Sequence, residues 1–264
     1  MAFVTQTTAL PSSTVTATNI YTSTTDRVAT TCTAEAEDPA YTAFTPIYGT
    51  WDTDMPGVNP SNIYGGSTSK TIALPWQMCL GNYCSASIDV WSNGYFIYND
   101  VATGQKVLVQ PFGSQDGGLE YFQGQRQGVY YRITGSPGNQ SLVVSWYADN
   151  YGQRGELNHF TTTYFQNTGI VQFKYYDVMQ YNNVNAPYGN YTASAYINFQ
   201  GYGQISVNPH GQPFSYDQQF QIVVPAGGPA GTVVTNKTHD RSDCCVKAGV
   251  WHSCTEFQVP SQLV

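Results

Sequence analysis

Two polar stretches, ADNYGQRGE (148–156) and MQYNNVNAPYGN (179–190), gather the side chains best suited to hold a sugar. Between them they offer Asp149, Asn150, Tyr151, Gln153, Arg154, Glu156, Tyr181, Asn182, Asn183, Asn185 and Tyr188. Planar amides and carboxylates match the hydroxyls along a sugar's edge, and Tyr rings match the C–H groups on its face. The same residue types also make plain solvated connections, so both readings stay open on composition alone.

Hydrolysis of a glycoside would need two carboxyl groups, roughly 5–5.5 Å apart for retention or roughly 6.5–9.5 Å for inversion. Glu120, in GGLEYFQGQ, and Glu156 are the pair available for that role. Asp52 and Asp54, in WDTDMPGVN, offer oxygens to a calcium ion. That stretch lacks the EF-hand pattern, and Asp side chains stabilise turns by themselves, so no cofactor is expected. A Ser or Cys triad finds no support, because there is no G-x-S-x-G elbow and the cysteines read as paired.

Six cysteines are present: Cys32, Cys79, Cys84, Cys244, Cys245 and Cys254. Cys79 and Cys84 flank LGNY, a Gly-Asn turn, which predicts a local bridge across a hairpin end. Cys32 is expected to join one of the three C-terminal cysteines. Zinc is the rival reading, but no C-x-x-C knuckle occurs and the four histidines are scattered. Asn139, Asn190 and Asn236 head N-x-S/T sequons. Bridges and sequons together point to an oxidising, extracellular compartment. The start, MAFVTQ, has neither a basic n-region nor an apolar h-region, so the expectation is a mature form whose leader has been removed.

The composition agrees with export. Only 10% of residues are charged and 14% are aromatic, with 21 Tyr among 264 residues. Surface solvation must then come from hydroxyls and amides. A net charge of −7 with ten scattered Lys and Arg excludes a nucleic-acid partner, since phosphate neutralisation needs clustered cations. No apolar run reaches the length of a transmembrane helix.

Strands must position whatever site exists. The candidates are 70–76, 87–91, 95–99, 106–112, 129–134, 141–147, 157–165, 170–178, 191–199 and 218–224, rich in β-branched and aromatic residues. Ser92-Asn93-Gly94 and Asn167-Thr168-Gly169 read as hairpin turns, because Asn and Gly tolerate positive φ. No stretch sustains a helical period. The fold class is therefore all-β, an antiparallel, jelly-roll-like β-sandwich with little or no helix. If 141–147, 157–165, 170–178 and 191–199 form a meander, the two polar stretches share one end of the sheet. Trp76, Trp91 and Trp146 lie in strand patterns and are expected as core anchors, with a sugar platform as the alternative. The organisation read from composition is a Ser/Thr-rich stalk or terminal strand (1–31), a sandwich (32–231) and a Cys-bearing tail packed on it (232–264).

With these residues in view, the chain resembles the ectodomain of a fungal cell-wall protein: TVTATNIYTSTT is similar to stalks that adjoin adhesin heads. The run 71–224, with IDVWSNGYFIYN, SLVVSWYADNYG and FTTTYFQNTGIVQFKYYDV, resembles nidogen-like modules of extracellular proteins. Gly118-Leu119-Glu120-Tyr121 is similar to the name motif of the GLEYA adhesins, with Phe122 where Ala stands there. The tandem aspartates that hold calcium in related adhesins are not found, so no calcium site is carried over. The resemblance implies adhesion or wall assembly through a carbohydrate or cell-wall glycan, with another surface protein or a second copy as further partners. A secreted jelly-roll glycoside hydrolase and a structural subunit that assembles through its Thr-rich N-terminal strand are the alternatives.

Overall fold

The computed structural model describes residues 45–49, 68–114, 119–121, 127–150, 153–178, 193–208, 214 and 218–237. These form strands and connections, with no helix among them. The strands are β1 (Thr45–Gly49), β2 (Ser69–Leu80), β3 (Tyr83–Trp91), β4 (Tyr95–Asn99), β5 (Lys106–Ser114), β6 (Leu119–Glu120) and β7 (Gly128–Thr134). They continue as β8 (Ser141–Asn150), β9 (Gln153–Phe165), β10 (Ile170–Asp177), β11 (Ala193–Phe199), β12 (Gly203–Asn208), β13 (Gln219–Val223) and β14 (Val233–Lys237). A large sheet takes the order β1-β7-β8-β9-β10-β13-β14, with β6 added on β8, and a small sheet takes the order β12-β11-β5-β4-β3-β2. All pairings are antiparallel, as the expected sandwich requires.

Period-two alternation builds the core. Ile72, Leu74, Trp76, Met78 and Leu80 of β2 are buried, and the residues between them through Gln77 are exposed. The large sheet answers with Leu142, Val144, Trp146 and Ala148 of β8, and with Phe160 and Tyr164 of β9. Aromatic rings fill the space between the layers. Phe112 packs on Phe160 at 5.1 Å, Phe160 on Trp146 at 5.4 Å, and Tyr175 on Phe214 at 4.2 Å between centroids. Trp76 and Trp146 are core anchors as expected.

Polar tips of these rings also tie the sheets together. Trp146 Nε1 donates to Trp91 O across the sandwich at 3.0 Å, and Tyr164 Oη accepts from Cys79 N at 3.0 Å. Tyr175 Oη donates to Pro111 O, and Tyr121 Oη to Ser92 O. Pro111 lies where the β5–β11 register shifts, and Ser92 lies in a turn. Both carbonyls are therefore at interruptions of the ladder, where buried backbone groups need other partners.

The expected hairpins form. Cys79 is bonded to Cys84, with Leu80 opposite Tyr83 and Gly81 at φ 62° in the turn. Gly94 closes the β3–β4 turn at φ 89°, and a Cβ there would lie 2.9 Å from Phe112 O. Asp100 organises the β4–β5 connection by accepting from Cys84 N (2.8 Å), Thr103 N (2.8 Å) and Thr103 Oγ1 (2.6 Å).

Two expectations are corrected. The fourth strand of the proposed meander does not follow β10: β11 joins the small sheet between β5 and β12, and β13 takes the place beside β10. Trp91 is not a core anchor. Its neighbours Ile88 and Val90 point inward, so Trp91 shares the outer face with Asp89. Four strands went unread: β1, β6, β12 and β14, of five, two, six and five residues. β1 carries Pro46 and Gly49 and β6 spans two residues, so neither shows the aromatic, alternating run that marks β4 at the same five-residue length as β1. Residues 1–31, Cys32, Cys244, Cys245, Cys254 and most of the 232–264 tail lie outside the described residues, while Val233–Lys237 pairs with β13.

Tyr175→Phe strands Pro111 O in the core and should lower unfolding free energy by about 1–3 kcal/mol in urea titration. Removing the short-loop bridge with Cys79→Ser and Cys84→Ser together should cost about 2 kcal/mol by the same measurement. The pH response follows from two kinds of group. Burial raises Tyr175 and, with Tyr164 as the next cause, Tyr98 well above the ordinary tyrosine range. These phenols stay protonated in the fold, so stability should be intact below about pH 10 and fall as pH rises above it. Thr103's hydroxyl, aided by backbone N–H groups, holds Asp100 below its ordinary range. Stability from Asp100 should be present above about pH 4 and lost as pH falls through its lowered value, a loss that Asp100→Asn removes from the melting profile.

Candidate functional site

The first polar stretch is not a long loop. β8 runs to Asn150, β9 begins at Gln153, and these two residues pair with each other. Asp149 pairs with Leu157 on one side and with Glu120 of β6 on the other. Its side chain is fully buried. Asn150, Gln153, Arg154 and Glu156 therefore stand at the tip of a three-strand ribbon. Glu120 and Glu156, far apart in sequence, flank the same strand, with Glu156 next to Leu157 in an irregular register. Their backbones are about two strand spacings apart, roughly 10 Å. β10 delivers the chain to this end too, since Asp177 pairs with His159. Tyr151, Tyr181, Asn182, Asn183, Asn185, Tyr188, Asp52 and Asp54 lie outside the described residues.

Of the sequons, Asn139 sits exposed in the β7–β8 turn. Asn236 is half-buried, and its Oδ1 accepts from Gln218 Nε2 at 3.2 Å. Asn190 is outside the described residues.

The two outer faces differ in character. On the large sheet, His159 stacks on Tyr176 at 4.6 Å, meets the edge of Tyr147 and places Nε2 3.2 Å from Ser145 Oγ. Lys174 Nζ lies 4.5 Å over the Tyr176 ring. These groups are engaged with one another, and Ser145 and His159 are buried.

The small sheet carries a different array. Pairing aligns Ser69 with Trp91 and Trp91 with Tyr95; Phe96 opposite Val109 sets Tyr95 beside Gln110; Gln110 pairs with Tyr196 and Tyr196 with Ser206. One row thus crosses all six strands, over a width of roughly 24 Å at ordinary strand spacing. Ser69 is exposed, and the other five are half-buried on the face turned from the core. Trp91 and Tyr95 lie nearly parallel, 5.5 Å apart and 22° between planes. Burial and then the nearby Tyr95 raise the Tyr196 hydroxyl above its ordinary range, so the two tyrosines sense each other. The adjacent row runs Thr71, Asp89, Ile97, Leu108, Asn198 and Gln204. Its charge, Asp89, accepts from Thr71 Oγ1.

Gly113 makes room for this array. A Cβ there would sit 1.7 Å from Gln110 Nε2, so the Gln110 amide occupies the space that a side chain would fill. The sequence places Trp91 with Trp76 and Trp146 as core anchors first and a sugar platform second, and for Trp91 alone the structure puts the ring on the outer face. The signal was present: Trp91 has the parity of Asp89, and the turn places Tyr95 opposite it.

Searches against protein-family models, curated proteins and solved structures return no match to this chain. Chemically, the platform offers aromatic surface, an amide and hydroxyls with no ion in its main row. Gly113→Ala should displace the Gln110 amide, the mobile end of a side chain, while changing stability little. Thermal melting should stay near the parent value, and the Gln110 side-chain amide resonances should shift in a ¹⁵N–¹H spectrum.

Proposed function

We propose that this protein is an extracellular, non-enzymatic β-sandwich that binds carbohydrate, in adhesion or wall assembly, through the outer face of its small sheet. The observation that supports this reading is the row Trp91, Tyr95, Gln110 and Tyr196. Aromatic side chains on a solvent face cover the apolar C–H side of sugars, and amides and hydroxyls meet their edges. The Cys79–Cys84 bridge, the exposed Asn139 sequon and the scarcity of ions all suit a secreted chain. The decisive measurement is co-sedimentation with insoluble fungal-wall glucan and chitin. The parent protein should pellet, and Trp91→Ala combined with Tyr95→Ala should reduce bound protein by roughly tenfold while the melting curve stays cooperative. Equal retention of parent and variant would sink the assignment to this face.

One observation favours a second reading, glycoside hydrolysis: β6, β8 and β9 bring Glu120 and Glu156 to either side of Asp149. Two carboxylates near one sheet end are the minimum such chemistry needs. A reducing-sugar assay on the same polysaccharides distinguishes the readings. Hydrolysis predicts product that Glu120→Gln abolishes; binding alone predicts none from the parent protein.

A further inference from the structure

We infer that the platform takes an extended, neutral glycan lying across the strands and touching several consecutive sugars, not a chain end or a single sugar. This rests on the carbohydrate reading above and specifies its ligand. Three features of the small sheet lead to it.

The first is reach. The aromatic groups fall into two sets: the Trp91–Tyr95 ledge on β3 and β4, and Tyr196 on β11, with Gln110 of β5 between them. From the middle of the ledge to Tyr196 is two and a half strand spacings, roughly 12 Å. That exceeds the width of one sugar ring, so a ligand meeting both sets must present at least two linked units. Ser69 and Ser206 extend the same line to the outer strands.

The second is charge. The row of six residues contains no ionisable group other than tyrosine, and a phenol, with an ordinary pKa of about 10, is neutral at physiological pH. In the adjacent row Asp89 is already bonded to Thr71, and the exposed Lys106 lies a further row along the face. An anionic polysaccharide would meet Asp89 without a cation in either of these two rows, whereas a neutral one meets aromatic and amide groups at each step.

The third is direction. The row is set by interstrand register, so it runs perpendicular to the strands, and each strand contributes one residue. Affinity is then spread along a line, and each contact is a modest increment. Such an arrangement predicts weak binding of short ligands and a gain as length grows until the line is filled.

Calorimetric titration with cello-, laminari- and chito-oligosaccharides of increasing length tests this, with the matching monosaccharides and polygalacturonate as controls. The expected result is no measurable binding of monosaccharides or polygalacturonate, and affinity that rises with length in at least one neutral series and then levels off. Tyr196→Ala should flatten that rise, costing roughly tenfold for the long ligands while leaving the short ones unchanged. Tyr196→Thr, a strand-compatible replacement, should behave alike and guards against a folding defect in the alanine variant. Affinity independent of length, or preference for polygalacturonate, would overturn the extended-neutral ligand while leaving carbohydrate binding in place. Absence of binding to every glycan by the parent protein would overturn both.

Discussion

The two sheets are joined by aromatic side chains whose polar tips end on the opposite layer's backbone. Trp146, Tyr164, Tyr175 and Tyr121 each place a ring in the interior and a hydrogen bond at its far side. A ring contributes the apolar area that drives the layers together, and its N–H or O–H removes the penalty of burying a backbone group outside a ladder. The partners lie at a strand end, an edge strand, a bulge and a turn of the small sheet. Irregularity in that layer is therefore tolerated because the large sheet supplies the missing partners. Tyr121, Tyr164 and Tyr175 are used in this way.

That arrangement decides what the small sheet can display. Its inner positions are committed to the core, so strict alternation turns Asp89, Trp91, Tyr95, Ile97, Gln110 and Tyr196 outward. Trp146 fixes the end of β3 through Trp91 O while the Trp91 ring lies on the other side of the sheet. The backbone under the platform is thus held from below. The large sheet's outer face is built otherwise, with His159, Tyr176, Tyr147, Lys174 and Ser145 already in contact with one another. A held backbone and an already stacked Trp91–Tyr95 pair suit a weak, multi-point ligand, because little ordering remains to be done on binding.

The far end of the large sheet shows how register brings sequence-distant groups together. Glu120 lies on a two-residue strand whose pairing with β8 sets it beside Asp149, and the irregular β8–β9 tip sets Glu156 near the same point. Spacing along the chain contained no hint of this meeting. It arises because the chain returns to the large sheet at β6 after β2, β3, β4 and β5 have formed part of the small one.

Sequence alone determined the all-β class and the positions of the long strands, since alternation and turn residues are local signals. It also located the Cys79–Cys84 hairpin, because a Gly-Asn turn brings residues five apart face to face. The Asn93-Gly94 turn was legible for the same reason, as positive φ is a property of single residues. Only the tertiary structure decided which layer each strand joined. The placement of β11 beside β5 was invisible locally, and it alone puts Tyr196 in line with Tyr95. Periodicity told that Trp91 opposes Val90, but not that Val90's side is the core; that choice belongs to the packing of one sheet on the other, a property of no single strand.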